Sequence, residues 1–592
     1  MRVRQVLLSA GGISLVSVIA ALLALGACKS GEKVPAKPGA AAPPVTAAAL
    51  APVFGTLGPE GVVPRQLVIE LARPIAPEGS DSSNGEAAEP TKAEGTRLTL
   101  QPKVDGELKR TGPSSLVFEP SEPFAPATTY TATLVSVRAA DGKDLRGPGG
   151  GWTYRFTTPG FALSRMSLVG AEDGGNKKDR YGGATVDLVF TAAVELESVR
   201  KRAAFTVTDS FGRDAPVAAW GAKQQAANTV RFMLHGEAMR PNRRLRLALA
   251  AGAEQDGGPG VAPAARDEVT LPKSGDAVEI KAIFPAEATS GYYVEIVCDD
   301  EAAAGEDEGR MHGHRWYWDR VTQRGFGQLS QRCVFADDEL AEKLHVTPAV
   351  TFTTAPSGGG MRLFGDFKRG PYSFRLEAGA RTVDGGTLPG DYETSFSVPA
   401  RSPQVTFVSK GRYLPRGAWQ SLPVRHLNVD EVTVEVRQVP PKNLVFWMSN
   451  DDTEAADERT SDLIAQKKIA VHGDPDRPST TYVDVASWVP ADTKGLLEIT
   501  LTSGGAKDTA RLLLTDLQLV AKRTGMVPGE EPGHPDENNR GKGAEVWAFD
   551  SSTLQPARGV EVSLLRKSGF TLDTCNTGAT GSCSLQVPEA GV

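Results

Sequence analysis

Pro126-Ala-Thr-Thr-Tyr130 leads into Thr131-Ala-Thr-Leu-Val135, Asp141-Gly142 follows, and Tyr154-Arg-Phe-Thr-Thr158 closes the stretch. Apolar and polar residues alternate on both sides of the Asp-Gly pair, which gives each strand one buried and one wet face. Asp-Gly between such segments signals a hairpin, because glycine takes positive φ at little steric cost. The pattern returns twice. Arg240-Pro-Asn-Arg-Arg-Leu-Arg-Leu-Ala-Leu249 precedes Asp256-Gly257 and Glu268-Val-Thr-Leu271. Gly370-Pro-Tyr-Ser-Phe-Arg-Leu376 precedes Asp384-Gly385 and Thr394-Ser-Phe-Ser-Val398. The repeat length is that of one β-sandwich. The front halves agree as well: Gln66-Leu-Val-Ile-Glu-Leu71 before Arg73-Pro74, and Thr185-Val-Asp-Leu-Val-Phe190 before Ala193-Val194.

These units resemble the immunoglobulin-like domains of exported bacterial proteins over about residues 52 to 400. The resemblance implies sandwiches at 52–160, 161–275 and 276–400, the last with an acidic insertion. By itself it fixes no function, since such domains serve adhesins, enzymes and scaffolds alike.

The final third carries a second series. Pro403-Gln-Val-Thr-Phe407 is followed by Lys410-Gly-Arg-Tyr-Leu-Pro-Arg-Gly417, Leu422-Pro-Val424 and Glu431-Val-Thr-Val-Glu-Val-Arg437. Then come Leu514-Thr-Asp-Leu-Gln-Leu-Val-Ala-Lys-Arg523, Ala544-Glu-Val-Trp-Ala-Phe549 and Gly559-Val-Glu-Val-Ser-Leu-Leu565. In order and content this series resembles the macroglobulin domains of bacterial alpha-2-macroglobulins. It implies macroglobulin-like sandwiches at 401–515 and 516–592, the second incomplete, in an all-β tandem array. It also implies a role: the membrane anchor and N-terminal scaffold of a protease trap that protects the cell envelope. The competing reading is a non-inhibitory lipoprotein whose domain array serves adhesion or envelope scaffolding. Trp547 and Phe549 alternate along one strand and are read as core.

Composition agrees with an all-β chain. The 592 residues include Gly 63 and Pro 41, dense punctuation that favours short strands and turns over long helices. A net charge of -7 argues against nucleic acid as a partner. An apolar share of 40% is enough to build cores.

Arg2 and Arg4 precede a nearly uncharged run from Gln5 to Ala24, and the segment ends Leu25-Gly26-Ala27-Cys28. Charged, then apolar, then small residues is the layout of an export signal at 1–27. A cysteine directly after the small residues resembles the bacterial lipobox, which implies acylation of Cys28. Residues 28–51, rich in Ala, Pro, Gly and Lys, read as a tether to the first domain. The expected location is the periplasmic side of the envelope, lipid-anchored, with Lys29 favouring the outer membrane by resemblance to known sorting rules. The expected partners are the membrane, proteases as targets of the full-length protein, and other envelope proteins.

Four further cysteines allow three pairings. Cys575 and Cys583 flank the turn sequence Asn576-Thr-Gly-Ala-Thr-Gly581, and Cys298 and Cys333 flank the acidic insertion, so both are candidate disulfides in an oxidising compartment. Reactive alpha-2-macroglobulins carry a Cys-x-x-Gln thioester in a later domain. Cys583 and Gln586 have that spacing, but a hairpin position is not the family's thioester setting, and no thioester is expected. His312, His314 and Asp319, in Met311-His-Gly-His-Arg-Trp-Tyr-Trp-Asp319, come nearest to a metal ligand set. Two histidines at that spacing fall short of a specific pattern, and no metal or other cofactor is expected. Trp316 and Trp318 alternate like core strand residues. No phosphate loop, serine elbow or zinc-protease helix occurs, and the chain is not expected to be an enzyme.

Overall fold

The computed structural model describes residues 46–586, apart from 76–89, 140–141, 174–180, 209–211, 274–275, 299–316, 320–323, 327–332, 358–359, 409–412, 415, 444–460, 525–542 and 567–568. The fold is all-β. The α-helices among these residues, Ala47–Leu50, Leu196–Arg200 and Asp337–Lys343, are each at most two turns long.

The strands fall into five groups along the chain. In the first, one sheet runs in the order Val53–Leu57, Gln66–Glu70, Ser115–Pro120, Gly106–Arg110, Thr91–Lys92. It faces a second sheet centred on Thr129–Arg138, and Leu67, Phe118, Tyr130 and Phe156 fill the space between. The domain begins earlier than Val53. Thr46 caps the turn Ala47–Leu50 by accepting from the Ala49 amide at 3.3 Å, and Leu50 is fully buried against Ile69, Leu71 and Leu134. The expected tether therefore gives way to folded chain at Thr46, because Leu50 has an apolar slot to fill. Residues 28–45 lie outside the described residues.

The second group is one seven-stranded sheet folded on itself. The long strand Asp214–Ala226 makes the corner. Its first half pairs with Ala203–Thr208 and its second half with Thr229–His235. A strand that changes partners in this way turns a continuous sheet into two packed faces. Leu168, Val186, Leu188, Phe232 and Leu247 lie between those faces.

The third group places Ile280–Ala288, Gly291–Cys298, Gly360–Phe367 and Phe352–Pro356 over Leu344–Thr347, Gly370–Leu376 and Tyr392–Val398. The fourth places Gln404–Phe407, Leu422–Leu427 and Ser479–Val483 over a five-stranded sheet, with Trp419 only 1% exposed between them. The fifth, from Leu517 to Gln586, has a three-stranded and a two-stranded sheet, and only Val546, Val562 and Leu585 form its buried cluster among the described residues.

The thrice-repeated sequence pattern has one structural meaning. Its first and last strands pair with each other, antiparallel: Thr129–Arg138 with Trp152–Thr157, Arg244–Leu249 with Ala265–Thr270, and Gly370–Leu376 with Tyr392–Val398. The glycine that follows the aspartate lies on the connection between them. Gly142, Gly257 and Gly385 have φ of 82, 68 and 94°, the region that favours glycine.

One core expectation is reversed in phase. The strand Gly543–Asp550 buries Val546 and Ala548, so Trp547 and Phe549 lie half-buried on its other face. Register decides this: Val546 sits opposite Ala521 and Cys583 and meets Val562 and Leu585 of the small core.

Candidate functional site

Cys298, at the end of its strand, is joined to Cys333 by a disulfide with the Cα atoms 5.8 Å apart. Both sulfurs lie in the core of the third domain, at the neck of the acidic insertion. Cys575 and Cys583 form a second disulfide, Cα atoms 5.9 Å apart, which ties the two sheets of the last domain together. Cys583 is thus engaged on the strand Ser582–Gln586. His312, His314 and Trp316 lie outside the described residues, as does Cys28. Asp319 ends a short strand, Tyr317–Asp319, paired with Arg324–Phe326.

A dense set of buried charges among the described residues lies elsewhere, where the first, third and fourth domains meet. Arg73, 6% exposed, reaches from the first domain into the fourth. Its Nη2 donates to Asp430 Oδ1 at 2.9 Å, its Nε to Asp430 Oδ2 at 3.2 Å, and its Nη1 to Asn428 Oδ1 at 3.0 Å. A planar guanidinium suits such a fork. Arg369 of the third domain donates from Nη2 to the Ala51 carbonyl at 2.9 Å and lies 3.6 Å from Asp476. Arg401, in the connection to the fourth domain, holds the Thr289 carbonyl at 2.7 Å and Glu287 at 3.4 Å. Its backbone amide donates to Asp476 Oδ1 at 3.0 Å. Asn428 and Asp476 bind each other, through the Asp476 amide at 2.9 Å and the Asn428 Nδ2 at 2.9 Å. Both have left-handed backbones, φ 52 and 61°, which Asn and Asp tolerate best among residues with a Cβ.

Burial sets the electrostatics of this junction. It pushes the Glu70 carboxyl above its usual range, against the hydrogen bond from Ser115 and the charge of Arg369. It pulls Arg369 below the usual guanidinium value, against the attraction of Asp476 and Glu70. Burial, with Arg73 and His472 nearby, lowers His426.

Two further features join the first three domains. Strand Val53–Leu57 packs along Gly370–Leu376, so closely that a Cβ on Gly55 would overlap the Pro371 ring. Beside this contact opens a cleft of about 960 Å³, walled by Phe54, Tyr154 and Phe156 on one side and Thr347–Thr351 on the other. Phe54 stacks on Tyr154 and Tyr154 on Phe156, each pair with centroids 5.7 Å apart. Nearby, Arg165 of the second domain pairs with Glu393 of the third and donates to the Glu60 carbonyl of the first at 2.9 Å. The Asp391 amide donates to the Leu168 carbonyl at 2.7 Å, and a Cβ on Gly390 would overlap the Val169 carbonyl.

Asp391 gives this second junction a pH dependence. Burial, first of all, pushes its carboxyl up to about 6; the Ala378 amide, Arg375 and Ser167 act the other way, and Glu377 adds to the rise. Glu393, facing Arg165, Arg375 and Glu60, is raised by burial too. A raised carboxyl pKa means that the folded state favours the neutral form. The cost of ionising Asp391 is absent below its ordinary value of 3.8 and complete above about 6. Asp391→Asn is therefore expected to raise the melting temperature at about pH 7.5 and to shrink the gain that wild type shows on going to about pH 5. Thermal unfolding across that window checks it. A variant no more stable than wild type at the higher pH would contradict this account.

No known family model matches the sequence, and no curated protein matches it. Solved structures do. A fragment of native Escherichia coli alpha-2-macroglobulin spanning domains MG0-NIE-MG1 is 15% identical, over 53% of this chain and 92% of that one, with a TM-score of 0.31. Salmonella alpha-2-macroglobulin reacted with methylamine is 16% identical, over 54% of this chain and 17% of that one, with a TM-score of 0.34. The surface layer protein SbsC, domains 1-6, is 11% identical, over 92% of this chain and 67% of that one, with a TM-score of 0.18. At these identities the likeness says nothing of activity.

None of the junction residues stood out in the sequence. Arg73 and Asp430 are 357 positions apart, and lone charged residues read as solvated surface. The one available signal was Arg73-Pro74, directly after an apolar strand.

Proposed function

We propose that this chain is the anchor and N-terminal scaffold of a macroglobulin-type protease inhibitor held at the cell envelope through a lipid on Cys28. The observation that supports this reading is the strand series of the last two domains. The macroglobulin-like segments at 431–437, 514–523, 544–549 and 559–565 fall on strands of the fourth and fifth sandwiches, with further strands between the first and second of them. The part assigned to this chain is mechanical: five sandwiches stand between lipid and protease-binding machinery.

Two measurements test it. Purified 46–592 mixed with trypsin or elastase is expected to leave hydrolysis of a large protein substrate unchanged and to give no adduct on a denaturing gel. The transcript read past codon 592 is expected to encode further macroglobulin-like domains. Protection or an adduct would place inhibitory chemistry in this chain, with Cys583 and Gln586 the first residues to examine. A stop codon directly after Val592 would favour the adhesion or scaffolding lipoprotein.

A further inference from the structure

The fourth sandwich is attached to the first and third in a particular way. Its core, from Val405 to Leu514, is complete in itself and includes no residue of another domain. Among the described residues, none of its strands or helices packs extensively along an element of another domain, whereas the first domain lays Val53–Leu57 along Gly370–Leu376 of the third. What holds it is polar: Arg73 on Asp430 and Asn428, Arg369 beside Asp476, and Arg401 between Asp476 and Glu287. The set is incompletely satisfied, since the buried Nε and Nη1 of Arg369 have no hydrogen-bond partner. Buried charges cost desolvation that their pairing only partly offsets, so such a joint is weak in net terms and highly sensitive to loss of one partner. A polar joint between domains with independent cores is one that parts without unfolding either side.

We propose that Arg73, Arg369 and Arg401 form a releasable latch, and that the fourth domain, with all that follows it, swings as a unit about the connection Pro399–Pro403. In the latched state the Arg401 side chain, 7% exposed, is clasped by the third domain. In the released state the Arg401 backbone amide loses Asp476 of the fourth domain, and the connection around it is uncovered. The two states therefore differ in the accessibility of one peptide bond, Arg401–Ser402, and in overall dimension.

The test uses the whole chain and three variants: Arg73→Ala, Asp430→Ala, and the exchange of Arg73→Asp with Asp430→Arg. Trypsin cleavage after Arg401, read by mass spectrometry of the new Ser402 terminus, is expected to speed at least about tenfold in either single variant. The radius of gyration from X-ray scattering should rise in parallel, with unchanged β-sheet circular dichroism. The exchange variant should recover part of the protection. Unchanged cleavage and dimension in both single variants would overturn the latch. Loss of β-sheet signal in them would overturn it equally, because it would show that the junction sustains a core and does not merely dock one.

Discussion

Cys28→Ser is expected to abolish lipid attachment and to shift the protein from the membrane fraction to the soluble one. The expectation starts from Leu25-Gly26-Ala27-Cys28 after an uncharged run, in which only a thiol at position 28 supplies the nucleophile for acylation. A hydroxyl of the same size keeps the shape of the segment and removes the nucleophile. The size of the effect follows from the anchor: each buried methylene contributes about 0.8 kcal/mol, so two long acyl chains hold a protein stably where none leaves only weak surface attraction. Lys29, Lys33 and Lys37 beside the anchor offer only about 1 kcal/mol each toward anionic lipid, too little to replace the acyl chains. Metabolic labelling with a fatty acid, followed by fractionation, measures both halves. Equal label on wild type and variant would refute the lipobox reading. Loss of label with full membrane retention would point to an uncleaved apolar anchor at residues 5–24.

Removing the Cys298–Cys333 disulfide is expected to be among the most destabilising changes open to the folded domains. The bond closes a loop with a sequence separation of 35, for which chain entropy alone predicts about 4 kcal/mol. Both residues belong to the core of the third domain, with Cys333 only 1% exposed, so Cys298→Ala with Cys333→Ala also leaves a small void beside Gly360. The third domain carries contacts to the first, second and fourth, so its loosening should free all three. The Cys575–Cys583 bond spans a separation of 8 and is worth about 2.5 kcal/mol by the same reasoning. Its domain has a far smaller core, so a smaller loss should suffice to unfold it. Urea unfolding followed by brief proteolysis, with the peptides of the third and last domains read by mass spectrometry, separates the two. An unchanged midpoint in the first double variant, or recovery of the cysteines as alkylatable thiols without reductant, would count against the expectation.

The physical character of the joints bears on the proposed role. A scaffold built from sandwiches with separate cores can be rigid within domains and adjustable between them. The first three domains meet through close backbone approach, at Gly55 against Pro371 and Gly390 against Val169, which tolerates little movement. The fourth meets them through charge.

What the sequence by itself determined is what depends on near neighbours. Alternation in segments such as Thr131–Val135 and Leu245–Leu249 made them strands, and glycine after aspartate at 142, 257 and 385 made the turns. Both signals act over a few residues, because side-chain period and φ preference are local properties. Tertiary structure decided what depends on distant pairing. It drew Leu50 out of an alanine-rich stretch into a core, and it turned Trp547 to the half-buried face, because the neighbouring strands favoured Val546 for the interior. Above all it folded the array back so that Arg73 meets Asp430. A lone arginine carries no local mark of its partner: the pairing exists only once two domains, each already folded on its own core, bring opposite charges out of water together.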